Sequence, residues 1–557
     1  MNKNHCKEHY DVIVIGAGAT GAGTARDCAM RGLSVLLVER FDFTAGATGR
    51  NHGLLHSGAR YAVTDQESAS ECIKENMILR HIARHCVEET GGLFVTLPED
   101  DLGYQKNFVE SCLKAGINAE VIDPAQAIMM EPAVNKDIIG AVRVPDGAID
   151  PFRLTTANVM DAREHGADIL TYHEVTDLLQ ESGRVTGVEL REQRTGQKFQ
   201  VRSSLVINAG GIWGQRICAM AGIKVNMFPA KGALLIFGHR VNNVVINRCR
   251  KPADADILVP GDTISLIGTT SSRIPLDQVD RMDVTGEEVD VLLREGIKIA
   301  PCLAYTRILR AYAGVRPLIA SDDDPSGRSI SRGIVCMDHA KRDGIEGMIT
   351  ISGGKLMTYR LMAEWATDMA CRKLGIEGRK CRTAEIPLPG SDQPRTDDAG
   401  KKRKSHIIEL STDQKAAQGR HGTKSAEISY NADEDDALVC ECEQVSVGEI
   451  KYAIKKLHAD SLINLRRRTR MGMGTCQGGL CACRAAAILR DETGNPPAAL
   501  RDLASFINER WKGMMPVAWG QTLVEAQFMA WLYRGVCGLS PDEEECECET
   551  TEKSEIR

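Results

Sequence analysis

Two groups of residues in this chain are typed and spaced for redox chemistry. Toward the C-terminal end stand Cys440-Glu-Cys442 and, after a gap of 33 residues, Cys476-Gln-Gly-Gly-Leu-Cys481-Ala-Cys483. Cysteine pairs this tight, flanked by glycine and small residues, can converge on one soft metal centre, either an iron–sulfur cluster or a tetrahedral zinc. Near the other end, Tyr10-Asp-Val-Ile-Val-Ile-Gly16-Ala-Gly18-Ala-Thr-Gly21 reads as a buried strand running into a glycine turn. Gly16 permits the sharp turn, Gly18 lets backbone approach a pyrophosphate, and Gly21 lets the following helix pack on the strand. The helix N-terminus then offers free N–H groups and a positive dipole end to phosphate. Glu39, at the end of the second strand, is placed to accept hydrogen bonds from ribose hydroxyls, and its charge argues against a 2′-phosphate. A dinucleotide, FAD or NAD, is therefore expected at one end and a metal centre at the other. Together they suggest a protein that takes electrons in pairs and passes them on singly.

The elements that must position these groups are legible in outline. A chain of 557 residues has room for a large core and smaller appendages. Strand-like apolar runs alternate with helical patterns over 10–386, which places the chain in the mixed α/β class. Val12–Ile15, Val35–Val38, Ser204–Asn208, Leu234–Phe237, Ile264–Gly268 and Gly347–Ser352 are expected strands, and Gly21–Arg31 an expected helix. From 387 to 437 the periodicity dissolves into a polar stretch with Lys401-Lys-Arg-Lys404, expected to be a linker. The cysteine module occupies 438–490, helical stretches bearing Trp511, Trp519 and Trp531 occupy 496–540, and the acidic tail 541–557 is expected to be disordered. A net charge of −7 gives no support to nucleic-acid binding. No 18-residue apolar run and no signal peptide stand in the sequence, and 19 cysteines scattered through apolar segments fit a reducing compartment, so a cytoplasmic location is expected.

The glycine turn is followed by Thr44-Ala-Gly-Ala-Thr48-Gly-Arg50-Asn51-His52-Gly53-Leu-Leu-His56-Ser57-Gly58-Ala-Arg60-Tyr61. This segment resembles the second cofactor contact of the D-amino-acid-oxidase-like flavoproteins. That resemblance implies FAD, held by Gly16, Gly18, Gly21, Glu39, Thr48, Arg50, Asn51 and Gly53. It also implies Val175 beside the adenine, Ala209 and Gly210 near the pyrophosphate, and Gly354, Lys355 and Leu356 at a late turn. The fold implied is a Rossmann-like FAD-binding domain interleaved with an antiparallel-sheet substrate domain. Within that superfamily, His56-Ser-Gly-Ala-Arg60-Tyr61, Gly314-Val-Arg316-Pro-Leu and Gly353-Gly-Lys355-Leu-Met-Thr-Tyr-Arg360 are similar to the FAD-dependent glycerol-3-phosphate dehydrogenase family. In that family the counterparts of Arg60, Tyr61, Arg316 and Lys355 gather the substrate phosphate and hydroxyls, which suits a phosphate dianion. Where some members carry a histidine after the Lys-Gly pair, this chain has Ala233. The general base is then His56, with a packing histidine as the alternative.

The C-terminal module resembles the ferredoxin-like domain of bacterioferritin-associated ferredoxin, a small helical domain holding a [2Fe–2S] cluster. By that resemblance Cys440, Cys442, Cys476 and Cys481 are ligands and Cys483 is spare, with zinc as the rival metal. Arg466–Arg468 and Arg470 would offset cluster charge or form an exposed basic face. Flavin domain plus cysteine module is the arrangement of the anaerobic, multi-subunit branch of the family. That branch implies glycerol 3-phosphate as substrate, two partner subunits (a second flavoprotein and a membrane-associated iron–sulfur protein), and menaquinone beyond them. The chain would then sit at the inner face of the membrane through its partners. Two other readings stand beside this one: an amine dehydrogenase for proline- or sarcosine-like substrates, and a non-catalytic electron-transfer subunit.

Overall fold

The computed structural model describes residues 6–319, 333–391, 411–430 and 434–539. The lysine-rich run at 401–404 and the acidic tail at 541–557 lie outside the described residues. The apolar run after Tyr10 forms a strand, His9–Ile15, in the middle of an eight-stranded sheet. It pairs in parallel with Val35–Val38 on one side and Lys198–Asn208 on the other. Asp168–Leu170 and Met348–Gly353 extend the parallel run. His173–Glu181, Arg184–Glu192 and Ile334–Asp338 add antiparallel strands. A strand buried on both faces reads as a continuous apolar run, and Val12–Val14 are fully buried. Ala22, Ala25 and Ala29 let the helix Ala19–Met30 sit close on one face, alongside Tyr359–Lys373. The helix begins two residues earlier than its sequence pattern suggested.

Among the described residues up to 390, the other strands form a nine-stranded sheet and a small three-stranded one of Leu54–Leu55, Gly147–Ile149 and Val87–Glu88. The nine-stranded sheet carries the expected substrate residue Arg316. One edge of it is a long antiparallel pair, Met227–Phe237 with Ile308–Ile319, in which Ala230 opposes Arg316 and Lys231 opposes Val315. Alternation along a strand puts Arg310, Tyr312, Gly314 and Arg316 on one face. That face turns to the dinucleotide side, because a Cβ on Gly314 would lie 2.5 Å from the Arg50 carbonyl oxygen.

The cysteine module is a short hairpin, Leu438–Cys440 with Val445–Ser446, and three helices, Val447–Lys456, Leu462–Thr469 and Cys481–Thr493. Their core of Ile450, Leu462, Leu465 and Ala485 also takes in Phe506 and Tyr533 from the last helices, Pro496–Met514 and the segment 520–536. Trp519 is the residue before the second of these, and Trp511, Trp519 and Trp531 are 36%, 49% and 64% exposed. Inside the stretch expected to be a linker, Thr412–His421 is a helix opened by a Ser411/Gln414 capping box. Its last turn docks on the module: Arg420 and His421 both hold Glu449.

Candidate functional site

The first strand ends in a turn that only glycine can make. Gly16 has φ +101°, and a Cβ there would lie 2.8 Å from the Ala209 carbonyl oxygen. A Cβ on Gly21 would lie 1.8 Å from the Gly16 oxygen. Gly18 caps the helix, and the Ala19 N–H donates to Thr48 Oγ1 at 3.0 Å. The turn opens into a cavity of about 3400 Å³. Glu39 lines it, accepting from the N–H groups of Ala17 at 2.9 Å and Phe41 at 3.0 Å, while burial pushes its carboxyl above the usual range. Each oxygen keeps lone-pair capacity for a ribose hydroxyl. Thr48, Arg50, Asn51, Gly53, Val175, Ala209, Gly210, Gly354 and Leu356 line the same cavity. Asn51 uses its carboxamide on its own loop, donating to Thr48 O and accepting from Gly53 N–H, which fixes the loop's path. These features fit a dinucleotide laid along the strand ends.

Further along the cavity His56, Tyr61 and Lys355 form a stack. The His56 and Tyr61 rings lie 5.5 Å apart and Lys355 Nζ sits 4.5 Å from the Tyr61 ring centroid. Arg316 arrives from its strand already oriented: it donates to Thr269 Oγ1 at 2.5 Å and Thr270 O at 3.2 Å, and to Lys231 O and Ser271 Oγ at 3.4 Å each. Thr269 and Ser271 carry no sequence signal that would have singled them out. Arg60 lines the cavity too, but one arm is bound to buried Asp256 at 3.0 Å, a carboxylate shared with Arg250. Its Nη1 is buried without a hydrogen-bond partner. The expected cations thus divide: Arg316 and Lys355 come from the late strand and turn, while Arg60 is anchored to the sheet beneath.

In the cysteine module the sulfurs form a linked row. Cys440 is hydrogen-bonded to Cys481, Cys481 to Cys476, and Cys476 to Cys442. These bonds hold the Cys440 and Cys476 thiols below their ordinary value and raise Cys442 and Cys481. Among the described residues no three His, Cys, Asp or Glu groups are set as ligands of a single ion. Cys440, Cys442, Cys476 and Cys481 are nonetheless neighbouring free thiols that shift one another's ionisation, and four neighbouring thiolates suit a tetrathiolate cluster. Cys483 is exposed and turns toward Tyr533 and Cys537. Cys442 and Glu443 line the same cavity as the dinucleotide turn.

Three arginines of the basic run are drawn inward and do not form an exposed face. Arg467 and Arg468 both bind Asp42, three residues past Glu39, at 3.1 and 2.6 Å. Arg470 reaches Asp150, Asp262 and Glu443. Arg467 and Arg468 rivet the cysteine module to the dinucleotide loop. Asp42 was missed because its partners lie more than 420 residues away in sequence.

Residues 11–360 match the family described as FAD dependent oxidoreductase, and 438–491 match the BFD-like [2Fe-2S] binding domain. The chain is 61% identical to a subunit of anaerobic glycerol-3-phosphate dehydrogenase from Haemophilus influenzae, covering 95% of this chain and 93% of that protein. It is 60% identical to the protein of the same name from Escherichia coli K12, covering 98% and 99%. Glycerol-3-phosphate dehydrogenase from Bacillus halodurans, solved with FAD, shares the fold at 21% identity and TM-score 0.68, over 92% of this chain and 97% of that one. Joined to an FAD-dependent oxidoreductase domain and a [2Fe–2S]-binding domain in one molecule, these likenesses place the chain in the family of that anaerobic glycerol-3-phosphate dehydrogenase subunit.

Proposed function

We propose that the chain oxidises glycerol 3-phosphate to dihydroxyacetone phosphate and sends the electrons through its cysteine module to partner subunits and quinone. One observation carries this reading: Arg316, Lys355, Tyr61 and His56 face the cavity that begins at the Gly16 turn and reaches Cys442. FAD, held by the glycine turn, Glu39 and the Thr48–Gly53 loop, would supply the hydride acceptor, and the four thiolates would hold the one-electron carrier. The guanidinium of Arg316 and the ammonium of Lys355 bind the phosphate, and Tyr61, under Lys355, fixes the glycerol backbone. His56, 7% exposed between His52 and Tyr61, takes the C2 hydroxyl proton. Arg60, braced by Asp256, lines the same cavity and adds positive charge beside the phosphate.

That the relatives are named as one subunit of an enzyme supports a multi-subunit assembly. We place two partners beyond the cluster, a second flavoprotein and a membrane-associated iron–sulfur protein, with membrane contact made through them at the inner face. No helix among the described residues is long and apolar enough to cross a membrane. The experiment is bleaching of the flavin's visible band by glycerol 3-phosphate, proline and sarcosine in turn. Bleaching by glycerol 3-phosphate alone is expected; bleaching by an amino acid, or by none, replaces this reading with an amine dehydrogenase or a non-catalytic electron carrier.

A further inference from the structure

The strand Ile308–Ile319 carries cations at both ends of its cavity face, and only the Arg316 end belongs to the substrate site above. Arg310 lies six residues away, about 20 Å along an extended strand. It is 8% exposed. Arg50 from the dinucleotide loop and Arg466 from the cysteine-module helix meet it there, and all three line the cavity. Their electrostatic partners are unlike those of the neighbouring arginines. Arg467 and Arg468 have Asp42, and Arg470 has three carboxylates. Among the described residues Arg50, Arg310 and Arg466 form no ion pair. Arg50 donates Nε to the Ala45 carbonyl at 3.1 Å, while Nε of Arg310 and Nε of Arg466 are buried with no hydrogen-bond partner. Glu509, exposed on Pro496–Met514, is the carboxylate whose field reaches all three. The Tyr312 hydroxyl is occupied, donating to Asn51 O at 2.9 Å. Burial, and then repulsion from Arg310, hold Arg466 well below the usual arginine range.

Three guanidiniums gathered in a cavity against one exposed carboxylate leave a positive charge that the fold does not compensate, an arrangement strongly unfavourable without a counter-ion. Guanidinium forks are shaped to hold phosphate or carboxylate oxygens in pairs. We propose that Arg310 and Arg466, beside the side chain of Arg50 from the loop that would hold FAD, form a second anion site, binding the phosphate or carboxylate group of a small ligand where the dinucleotide loop, the substrate sheet and the cysteine module meet. The site spans three modules, so its ligand fixes the module's seat on the flavin domain. It stands whatever substrate the chain oxidises.

The test uses full-length protein loaded with FAD and cluster, in an Arg316→Gln background that disables the expected substrate phosphate site. Thermal unfolding is followed while inorganic phosphate is titrated, with acetate in parallel to tell which head group is preferred. A saturable rise in Tm is expected, with apparent affinity falling at least about tenfold on adding Arg310→Gln or Arg466→Gln. Arg310→Lys should keep part of the affinity, because a point charge replaces half of what the fork does. Without added anion, the Gln variants should unfold no earlier than their parent, since each removes an uncompensated charge. Loss of bound FAD from the Gln variants would assign the arginines to the flavin and overturn the proposal. So would the absence of any saturable anion effect, or an effect that the Gln variants leave unchanged.

Discussion

Arg316 is held by two hydroxyls and two carbonyl oxygens before any ligand arrives, so its fork is oriented in advance. Replacing it with alanine should remove a charge-assisted contact of about 2–4 kcal/mol, a loss of roughly 30–1,000-fold in kcat/KM for glycerol 3-phosphate. Unphosphorylated glycerol never used the contact, and its turnover should stay nearly unchanged; an equal loss on both substrates would remove Arg316 as phosphate ligand. The cysteines make a second test. Cys440→Ser, Cys442→Ser, Cys476→Ser and Cys481→Ser should each eliminate iron and acid-labile sulfide while substrate still bleaches the flavin. Cys483→Ser should keep the cluster, because that thiol faces Tyr533 and not the sulfur row. Zinc without sulfide in anaerobically prepared protein would refute the cluster assignment. At this scale the sequence spoke clearly where backbone geometry admits one residue type, as at Gly16 and Gly21. It was silent on Asp256, Thr269 and Ser271, whose roles depend on which strand passes behind which arginine.

The helix Thr412–His421 shows how a short element can be tied down by charge. Burial opposes ionisation of Glu449, yet Arg420 and His421 hold its carboxyl down to about 2. Because that value lies below the unfolded one, the stabilisation is complete above about pH 4.3 and fades as pH falls toward 2, and its size is on the order of 3 kcal/mol. Glu449→Gln should therefore lower the urea midpoint most at pH 6, with the difference from the parent shrinking below about pH 4. A difference independent of pH would mean that shape, and not charge, holds this helix. The clamp between Asp42 and Arg467–Arg468 belongs to the same scale. Asp42→Asn leaves a buried guanidinium uncompensated and should cost about 3–5 kcal/mol in thermal unfolding. The Ser411-x-x-Gln414 capping box was written in the stretch expected to be a linker, but nearby polar composition masked it. The central βαβ unit was legible because its strands and helix are contiguous. The second sheet was less so, because it pairs Val245–Arg248 in parallel with Gly92–Thr96, about 150 residues distant.

For the whole molecule, the arrangement of surfaces bears on how electrons leave. The segment 520–536 lies on the ligand loop, with the Tyr533 hydroxyl donating to Gly479 O at 2.7 Å, and turns Phe528 and Trp531 outward, beside exposed Trp519 at its start. Large exposed aromatics are the residues that anchor protein interfaces. Phe528→Ser with Trp531→Ser should leave substrate-dependent flavin bleaching intact and slow electron delivery to the partner subunits; unchanged delivery would place the contact elsewhere. Sequence patterning put these tryptophans on helices but gave no sign of which side faces out. The rivet at Asp42 has a further effect on the life of the molecule in air. Asp42 stands on the loop that also carries Glu39, so the loop that would hold FAD and the module that would hold the cluster are joined by one group of ion pairs. Any event that loosens the cysteine module, oxidative destruction of its iron included, withdraws two cations from that loop and shortens the residence time of FAD. Saturating FAD should conversely slow iron loss during oxygen exposure, which makes the durability of each group a function of the other's occupancy.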